Sequence, residues 1–425
     1  MPNERHPSRT HLHLAILTGA LFLALRVPLL VVRAPFFDEL FTRWIAGKSF
    51  VGILAALRID SGPPLYYFIV HMLGDPSIEA TRVLSLLFST ISIVAILRSN
   101  RVAAALLMAV FPPSILFAAD ARAYAICAMF VTIAVLAIDE DRPLVSAIAL
   151  VLAAYSHYYG VLFFPILLVT AAGPAANQPA GRRRYAWRPR FAALGLAVVL
   201  FIPGFILALK QPTEARAWMT TEWPDALFVR PPLALVIIGA VAVLVSARLN
   251  RYLLMVVVPL ILAIALRVYV PMRFEAVLAA PLALWLGESL RQNRFRILLM
   301  TALIGVGIAW SAIGIVEHAS RPPDPFRQAA QWVSRRVLPN QNVVASGYCY
   351  LETLMNGHSQ LTAFPPEQRE HPGWRALPRP GLTSPRGAFF WIGERNAPEL
   401  GNFVRERRNI QPLFINDRAM VALVR

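Results

Sequence analysis

The chain reads as a polytopic α-helical membrane protein of about eleven transmembrane helices, with a small C-terminal α/β domain. Three observations predict this. Of its 425 residues, 57% are hydrophobic and only 15% are charged, more apolar and less charged than a soluble globular chain. The apolar residues gather in runs of about 17–22, the length that spans a hydrocarbon core. After residue 317 the chain turns polar and carries Pro322-Pro323 and Pro365-Pro366.

The expected spans are 12–32, 81–97, 102–118, 123–138, 143–155, 158–173, 191–209, 231–247, 252–270, 275–290 and 297–317. The first follows Arg5 and Arg9. It is too long for a signal-peptide core and lacks a small-residue cleavage site, so it reads as a retained anchor. The run Leu65–Leu73 is too short to span; after Pro63-Pro64 it reads as a helix lying at the membrane surface. Beyond 317, Phe326–Val337 and Leu400–Arg408 have helical periodicity, while Asn342–Ser346, Ala388–Ile392 and Met420–Val424 read as strands. The expected division is a membrane module, 1–317, with a first outer loop at about 33–81, and an outer domain, 318–425.

The net charge of +17 is accounted for by loop arginines that set membrane orientation, without a nucleic-acid partner. Arg98 and Arg101, the group Arg182, Arg183, Arg184, Arg188 and Arg190, then Arg248 and Arg251, and Arg291, Arg294 and Arg296 fall on the side of the N-terminus. That side is therefore expected to be cytoplasmic. The loop Asp139-Glu140-Asp141-Arg142 is acidic, but acidic residues count little in this rule. The two cysteines, Cys127 and Cys349, form neither a disulfide framework nor a zinc pattern.

The remaining ionisable residues collect on the opposite, outer face: Asp38, Glu39, Asp60, Asp120, Arg122, His157 and Arg273, with Arg26 near the outer end of the first span. Charges near membrane depth usually face a cavity or one another. Snorkelling, or a structural pair such as Arg26 with Asp120, is the competing reading for any one of them. Asp38-Glu39 lies between Pro35-Phe36-Phe37 and Leu40-Phe41, at the boundary of water and apolar surface, where a carboxylate can serve as a general base. Tyr66 and Tyr67, after Pro63-Pro64, fit either an interfacial belt or a site wall. Arg122, in Asp120-Ala121-Arg122-Ala123-Tyr124, and Arg273, in Pro271-Met272-Arg273-Phe274, sit at outer helix ends. They suit a lipid-linked phosphate, or a phospholipid headgroup.

The order of these pieces resembles the GT-C glycosyltransferases, and more narrowly the protein mannosyltransferases and lipid A aminoarabinose transferases. The pieces are Arg26, Asp38-Glu39, Pro63-Pro64-Leu65-Tyr66-Tyr67, Arg82-Val83-Leu84-Ser85, the acidic turn at Asp120, and Ser156-His157-Tyr158-Tyr159. Arg273 with Pro281 is similar to a later motif of the family. The resemblance covers roughly the first 170 residues well. It implies a GT-C fold in the bacterial inner membrane, with a cytoplasmic N-terminus and a periplasmic C-terminal domain. It implies a polyprenyl-phosphate-linked sugar donor and a periplasmic acceptor that is a lipid, a polysaccharide or a protein. On the same resemblance Asp38 is the general base and Glu39 its helper. Arg26, Tyr66, Tyr67, Arg82, Asp120, Arg122, Tyr124, His157, Tyr158 and Arg273 line the site for substrate and donor phosphate. The implied reaction is an inverting single displacement. A divalent metal, Mg or Mn, is compatible with the acidic residues, although none has the spacing of a dedicated ligand set. Gly62 departs from the family, where His is frequent before the two prolines, and so does Asp120, where Glu is common. The alternative class is a polytopic transporter or flippase of lipid or lipid-linked sugar, which would place its charges near the bilayer midplane.

Overall fold

The computed structural model describes residues 9–58, 60, 62–74, 76–169, 188–211, 251–291, 294–358, 360–364, 366–369 and 385–425. The expected span 231–247, most of the outer segment 210–230, the arginines 182–184 and 248, Ser61 and the end of the 158–173 run lie outside the described residues.

The helices follow the apolar runs. In chain order they are α1 (Arg9–Val32), α2 (Phe37–Ala46), α3 (Phe50–Leu57), α4 (Leu65–Met72), α5 (Ile78–Arg98), α6 (Val102–Val110), α7 (Pro112–Ala118), α8 (Tyr124–Asp139) and α9 (Pro143–Ser156). A 3₁₀ segment, Tyr158–Phe163, leads into the short α10 (Ile166–Val169). Then come α11 (Arg188–Lys210), α12 (Arg251–Ala265), α13 (Arg273–Arg291) and α14 (Arg296–Ser320). Among the described residues, four helical stretches are long and apolar enough by length and composition to cross a membrane: Leu12–Val32, Ile78–Arg98, Arg188–Lys210 and Arg296–Arg336. The helices Tyr124–Asp139, Pro143–Ser156 and Arg251–Ala265 are apolar but shorter.

Two compact units form: Met1–Arg33 with Ser49–Ala319, and Ala34–Lys48 with Ser320–Arg425. In the first, α8 packs on α5, α9 and α13, and α9 packs on α11. The face of α5 toward this packing buries Arg82, Ser85, Ser89, Ser92 and Ile96; its three serines, small and at helical spacing, let helix backbones approach.

The expected single span 102–118 is two helices. Pro112 and Pro113 have no N–H, so the carbonyls of Met108 and Ala109, four residues earlier, lose their helical donors, and the backbone breaks at Phe111. Arg26 fills that gap. Its Nη1 donates to the Ala109 carbonyl at 2.7 Å and its Nη2 to the Met108 carbonyl at 3.3 Å. Further bonds reach Ser114 Oγ and the Phe22 carbonyl. A fully buried guanidinium is thus matched to acceptors that the two prolines leave behind. The 158–173 run is likewise not one helix over its described part; Pro165 separates the 3₁₀ turn from α10.

In the second unit the helices α15 (Pro325–Arg336), α16 (Gly347–Met355) and α17 (Pro398–Arg405) accompany the strands β1 (Val343–Ala345), β2 (Leu361–Ala363), β3 (Phe389–Glu394), β4 (Ile410–Ile415) and β5 (Ala419–Val424). The sheet order is β2-β1-β3-β5-β4. β1 runs parallel to β2 and β3, whereas β5 is antiparallel to β3 and β4. Strand alternation gives this sheet two apolar faces. Val343, Ala345, Ile392 and Val421 pack with Phe326, Ala330 and Val333 of α15. Val344, Trp391, Met420 and Ala422 pack with Phe403 of α17. The three expected strands and two expected helices are present, and α16, β2 and β4 are additional.

Candidate active site

In the membrane unit, one set of expected site residues converges on His157. The histidine follows α9 in an extended conformation, and its Nδ1 accepts from the Tyr159 N–H at 3.2 Å. Its ring lies 4.9 Å from Tyr124 and 4.4 Å from Tyr159. Burial, then the positive charges of Arg122 and Arg273, push this imidazole down to about 3. It is therefore neutral at physiological pH and adds no charge beside the two guanidinium groups. Arg273 lies 6.0 Å over the Tyr124 ring. It begins α13 directly after Met272, whose φ of 69° is left-handed and costs a non-glycine residue about 1–2 kcal/mol. Arg122 and Arg273 are both only partly buried. The turn is tight behind them: a Cβ on Gly160 would come within 2.4 Å of the Ala153–Ala154 backbone. Two cations and a neutral, aromatic-backed histidine can hold a phosphate group.

Other expected site residues bind backbone instead. Arg26 serves the α6–α7 break. Arg82, also buried, donates from Nη1 to the carbonyls of Arg33 at 2.7 Å and Leu30 at 3.3 Å. It thereby caps the C-terminal end of α1, where carbonyls lack helical partners and cations are favoured. Asp120 is buried and forms an ion pair with Arg33, so the Arg26–Asp120 pair considered from sequence is replaced by Arg33–Asp120. Tyr66 and Tyr67 are buried on α4, and the Tyr66 hydroxyl is 3.4 Å from Ser85 Oγ. A side chain at Gly62 would press on Tyr67, whose ring and hydroxyl lie 3.2 and 3.3 Å from the added Cβ. That contact is a physical reason for the departure from His at this place. Tyr158 is partly buried and packs against the same core as Tyr124 and Tyr159.

In the second unit, Asp38 and Glu39 occupy the first turn of α2, where carboxylates favour the helix dipole. They differ sharply in exposure. Glu39 is 0% exposed, and its Oε2 accepts from the Phe36 N–H at 3.3 Å, which satisfies one unpaired donor of the helix end. Asp38 is partly exposed, and its carbonyl accepts from Thr42 Oγ1.

The same unit holds a carboxyl that the sequence reading passed over. Glu352 on α16 is 3% exposed. Burial and nearby Asp324 push its carboxyl up, against the opposing pull of Arg327, to about 7. A folded-state value above the unfolded one means that the folded unit binds the proton more tightly. Stability is then highest below the ordinary glutamate range and falls as pH rises toward 7, by up to about 1.4 kcal/mol per pH unit. Glu352→Gln is expected to flatten that slope between about pH 4.5 and 7 and to leave the unit more stable than wild type at pH 8. Thermal unfolding measured across pH checks this.

The site residues missed from sequence are Tyr159, Arg33 and Glu275. Glu275 lies two positions after Arg273 and accepts from the Tyr269 hydroxyl; its place in the first turn of an Arg-started helix was the available signal. Among the described residues, no three His, Cys, Asp or Glu side chains converge.

The other end of the membrane unit gathers opposite charges. Asp139, 5% exposed, pairs with Arg101 and with Arg251 at 2.9 Å, and accepts from the Tyr252 hydroxyl. Asp141 pairs with Arg190 at 2.8 Å. The acidic loop is thus joined to three of the basic loops expected on its own side.

No family model and no curated relative matches the chain. Solved structures do match. The crystal structure of ArnT from Cupriavidus metallidurans bound to undecaprenyl phosphate superposes with a TM-score of 0.57 at 14% identity, over 96% of this chain and 97% of that one. The apo state of the same protein gives a TM-score of 0.58 at 14% identity with the same coverage. The likeness is one of fold: the chain has the mostly helical fold of these ArnT structures, with a small sheet domain near the C-terminus.

Proposed function

We propose that the chain is a membrane glycosyltransferase that moves a sugar from a polyprenyl-phosphate donor to an acceptor outside the cytoplasm. The observation that carries this is the pair Arg122 and Arg273, both acting on a neutral His157. This is an anion site with two cations at the ends of apolar helices. The likeness in fold to a protein solved with undecaprenyl phosphate bound supports the same class of ligand.

In the reaction, Asp38 takes the proton of an acceptor hydroxyl or amine. The acceptor atom bonds to the anomeric carbon as the bond from that carbon to the phosphate oxygen breaks. The electron pair leaves with the lipid phosphate, whose charge Arg122 and Arg273 meet. Attack from the face opposite the phosphate inverts the anomeric configuration. Glu39 holds the start of α2 and so supports Asp38. Tyr124, His157 and Tyr158 wall the anion site, while Asp120, through Arg33, holds the segment after α1. The end carrying Asp139 faces the cytoplasm of a bacterial inner membrane, and the C-terminal domain lies in the periplasm. The basic loops gathered at the Asp139 end support this orientation.

Binding of undecaprenyl phosphate to the purified protein tests the anion site. Arg122→Ala and Arg273→Ala are each expected to weaken it about 10- to 100-fold, the worth of one charge-assisted hydrogen bond. Undecaprenol, lacking the phosphate, is expected to bind both variants and wild type alike. Unchanged phosphate affinity in both variants removes the site. Wild-type protein that moves intact lipid across vesicles, yet transfers no sugar from any polyprenyl-phosphate donor, removes the transferase reading.

A further inference from the structure

We infer that the C-terminal α/β domain positions the acid of the first loop, through Arg327 and Tyr348 on the segment leading into α2. This deepens the transferase reading and rests on Asp38 being its base. Residues 34–48 belong to the same compact unit as 320–425, although nearly 300 positions separate them (Arg327 and Pro35 are 292 apart).

The helix that bears Asp38 cannot hold itself in place. It has ten residues, below the length at which an isolated helix is stable in water. Its N-cap is Phe36, which offers no side-chain oxygen to the free amides of the first turn. Packing must therefore set its direction, and the packing comes from the C-terminal domain. The Phe37 ring meets the Tyr348 ring edge-on, with centroids 4.6 Å apart at 86°. Tyr348 in turn stacks on Phe326 at 5.4 Å, and the Arg418 guanidinium lies 4.8 Å over that Phe326 ring. Asp324 fixes the start of α15 by accepting from the Phe326 N–H at 2.8 Å. One turn along that helix, Arg327 Nη1 donates to the Pro35 carbonyl at 3.4 Å. An aromatic stack and an arginine thus tie the residues on either side of the N-cap to the sheet domain. Phe37 immediately precedes Asp38. A displacement of a reacting group by about 1 Å can cost about 100-fold in rate, so a clamp one residue from the base acts on turnover.

The test uses the full chain in nanodiscs. Tyr348→Ala is expected to raise hydrogen exchange of the 37–46 amides at least tenfold, while β3 and β5 amides stay protected, which shows the domain folded. With the polyprenyl-phosphate sugar that supports wild-type turnover, kcat is expected to fall about 100-fold. Donor KM and undecaprenyl phosphate affinity are expected to stay within twofold. Tyr348→Phe keeps the ring and is expected to stay within threefold of wild type in every readout. Arg327→Gln is expected to loosen the same amides, with Arg327→Lys restoring part of the protection. Protected 37–46 amides in Tyr348→Ala, or loosened amides with unchanged kcat, overturn the positioning role. If Asp38→Asn retains turnover, the base assignment fails separately, because the exchange measurement needs no sugar.

Discussion

Asp38→Asn is expected to lower sugar transfer by about 100- to 10,000-fold, the range that a general base contributes, with the protein still folded and inserted. Asparagine has the same shape as aspartate and keeps the backbone of the first turn of α2. It forfeits the favourable placement of a carboxylate at a helix N-terminus, about 0.3–1 kcal/mol, which is too little to unfold the unit. What it removes is the acceptor for a proton. The neighbouring Glu39 cannot substitute, because it is wholly buried and bonded to the Phe36 amide. Undecaprenyl phosphate affinity is expected to be unchanged, since the proposed anion site draws on Arg122 and Arg273 and not on Asp38. Turnover within tenfold of wild type, with donor bound normally, would show that another group takes the proton.

The second large effect is on stability. Asp139→Ala is expected to cost about 3 kcal/mol, the lower end of the penalty for breaking a buried charge pair. Asp139 is 5% exposed, whereas Arg101 and Arg251 are 28% and 44% exposed, so water can rehydrate the two arginines in part. The variant also strands the Tyr252 hydroxyl, which donates to the same carboxylate. These three partners come from the start of α6 and the start of α12, and the carboxylate at the end of α8 is their common acceptor. Asp139→Asn is expected to lose less, because the amide oxygen still accepts from Tyr252. Thermal unfolding of purified protein in detergent, read with a ligand-independent probe, measures both. An Asp139→Ala protein as stable as wild type would mean that the cluster contributes nothing net.

Much of this architecture was legible in the sequence, for physical reasons that differ by element. α1, α5, α11 and α14 were readable because an unbroken apolar run of spanning length admits few other structures. The α6–α7 break was written in Pro112-Pro113, but run length alone concealed it. β2 is three residues long, too short to show a period. β4 contains Pro412 and alternates poorly because it is an edge strand, mostly exposed. In the candidate site, the motif order named His157, Arg122, Tyr124 and Arg273, and the fold brings these four near one another. The motif order could not sort the arginines. Arg26 and Arg82 serve carbonyls that lack their i+4 helical donors at a proline break and a helix end, and that demand appears only once the backbone is folded. The difference in burial between Asp38 and Glu39 was hidden for the same reason, since two adjacent carboxylates look alike until the backbone is folded.

The bond between Arg26 and the Met108–Ala109 carbonyls also sets an order of events during synthesis. α1 leaves the ribosome first, and the Ala109 carbonyl follows 83 residues later. At about 5–20 residues per second, the interval is on the order of 4–17 s. Throughout it, among the described residues, the one acceptor of Arg26 already at hand is the Phe22 carbonyl of its own helix. An arginine costs about 2.5–3.5 kcal/mol at the centre of a lone helix in lipid, and less toward the outer end, where Arg26 sits. The first helix therefore gains its full reason to stay in the bilayer only when the proline-broken pair arrives. Truncated nascent chains ending before α6 would hold α1 more loosely than chains that include it.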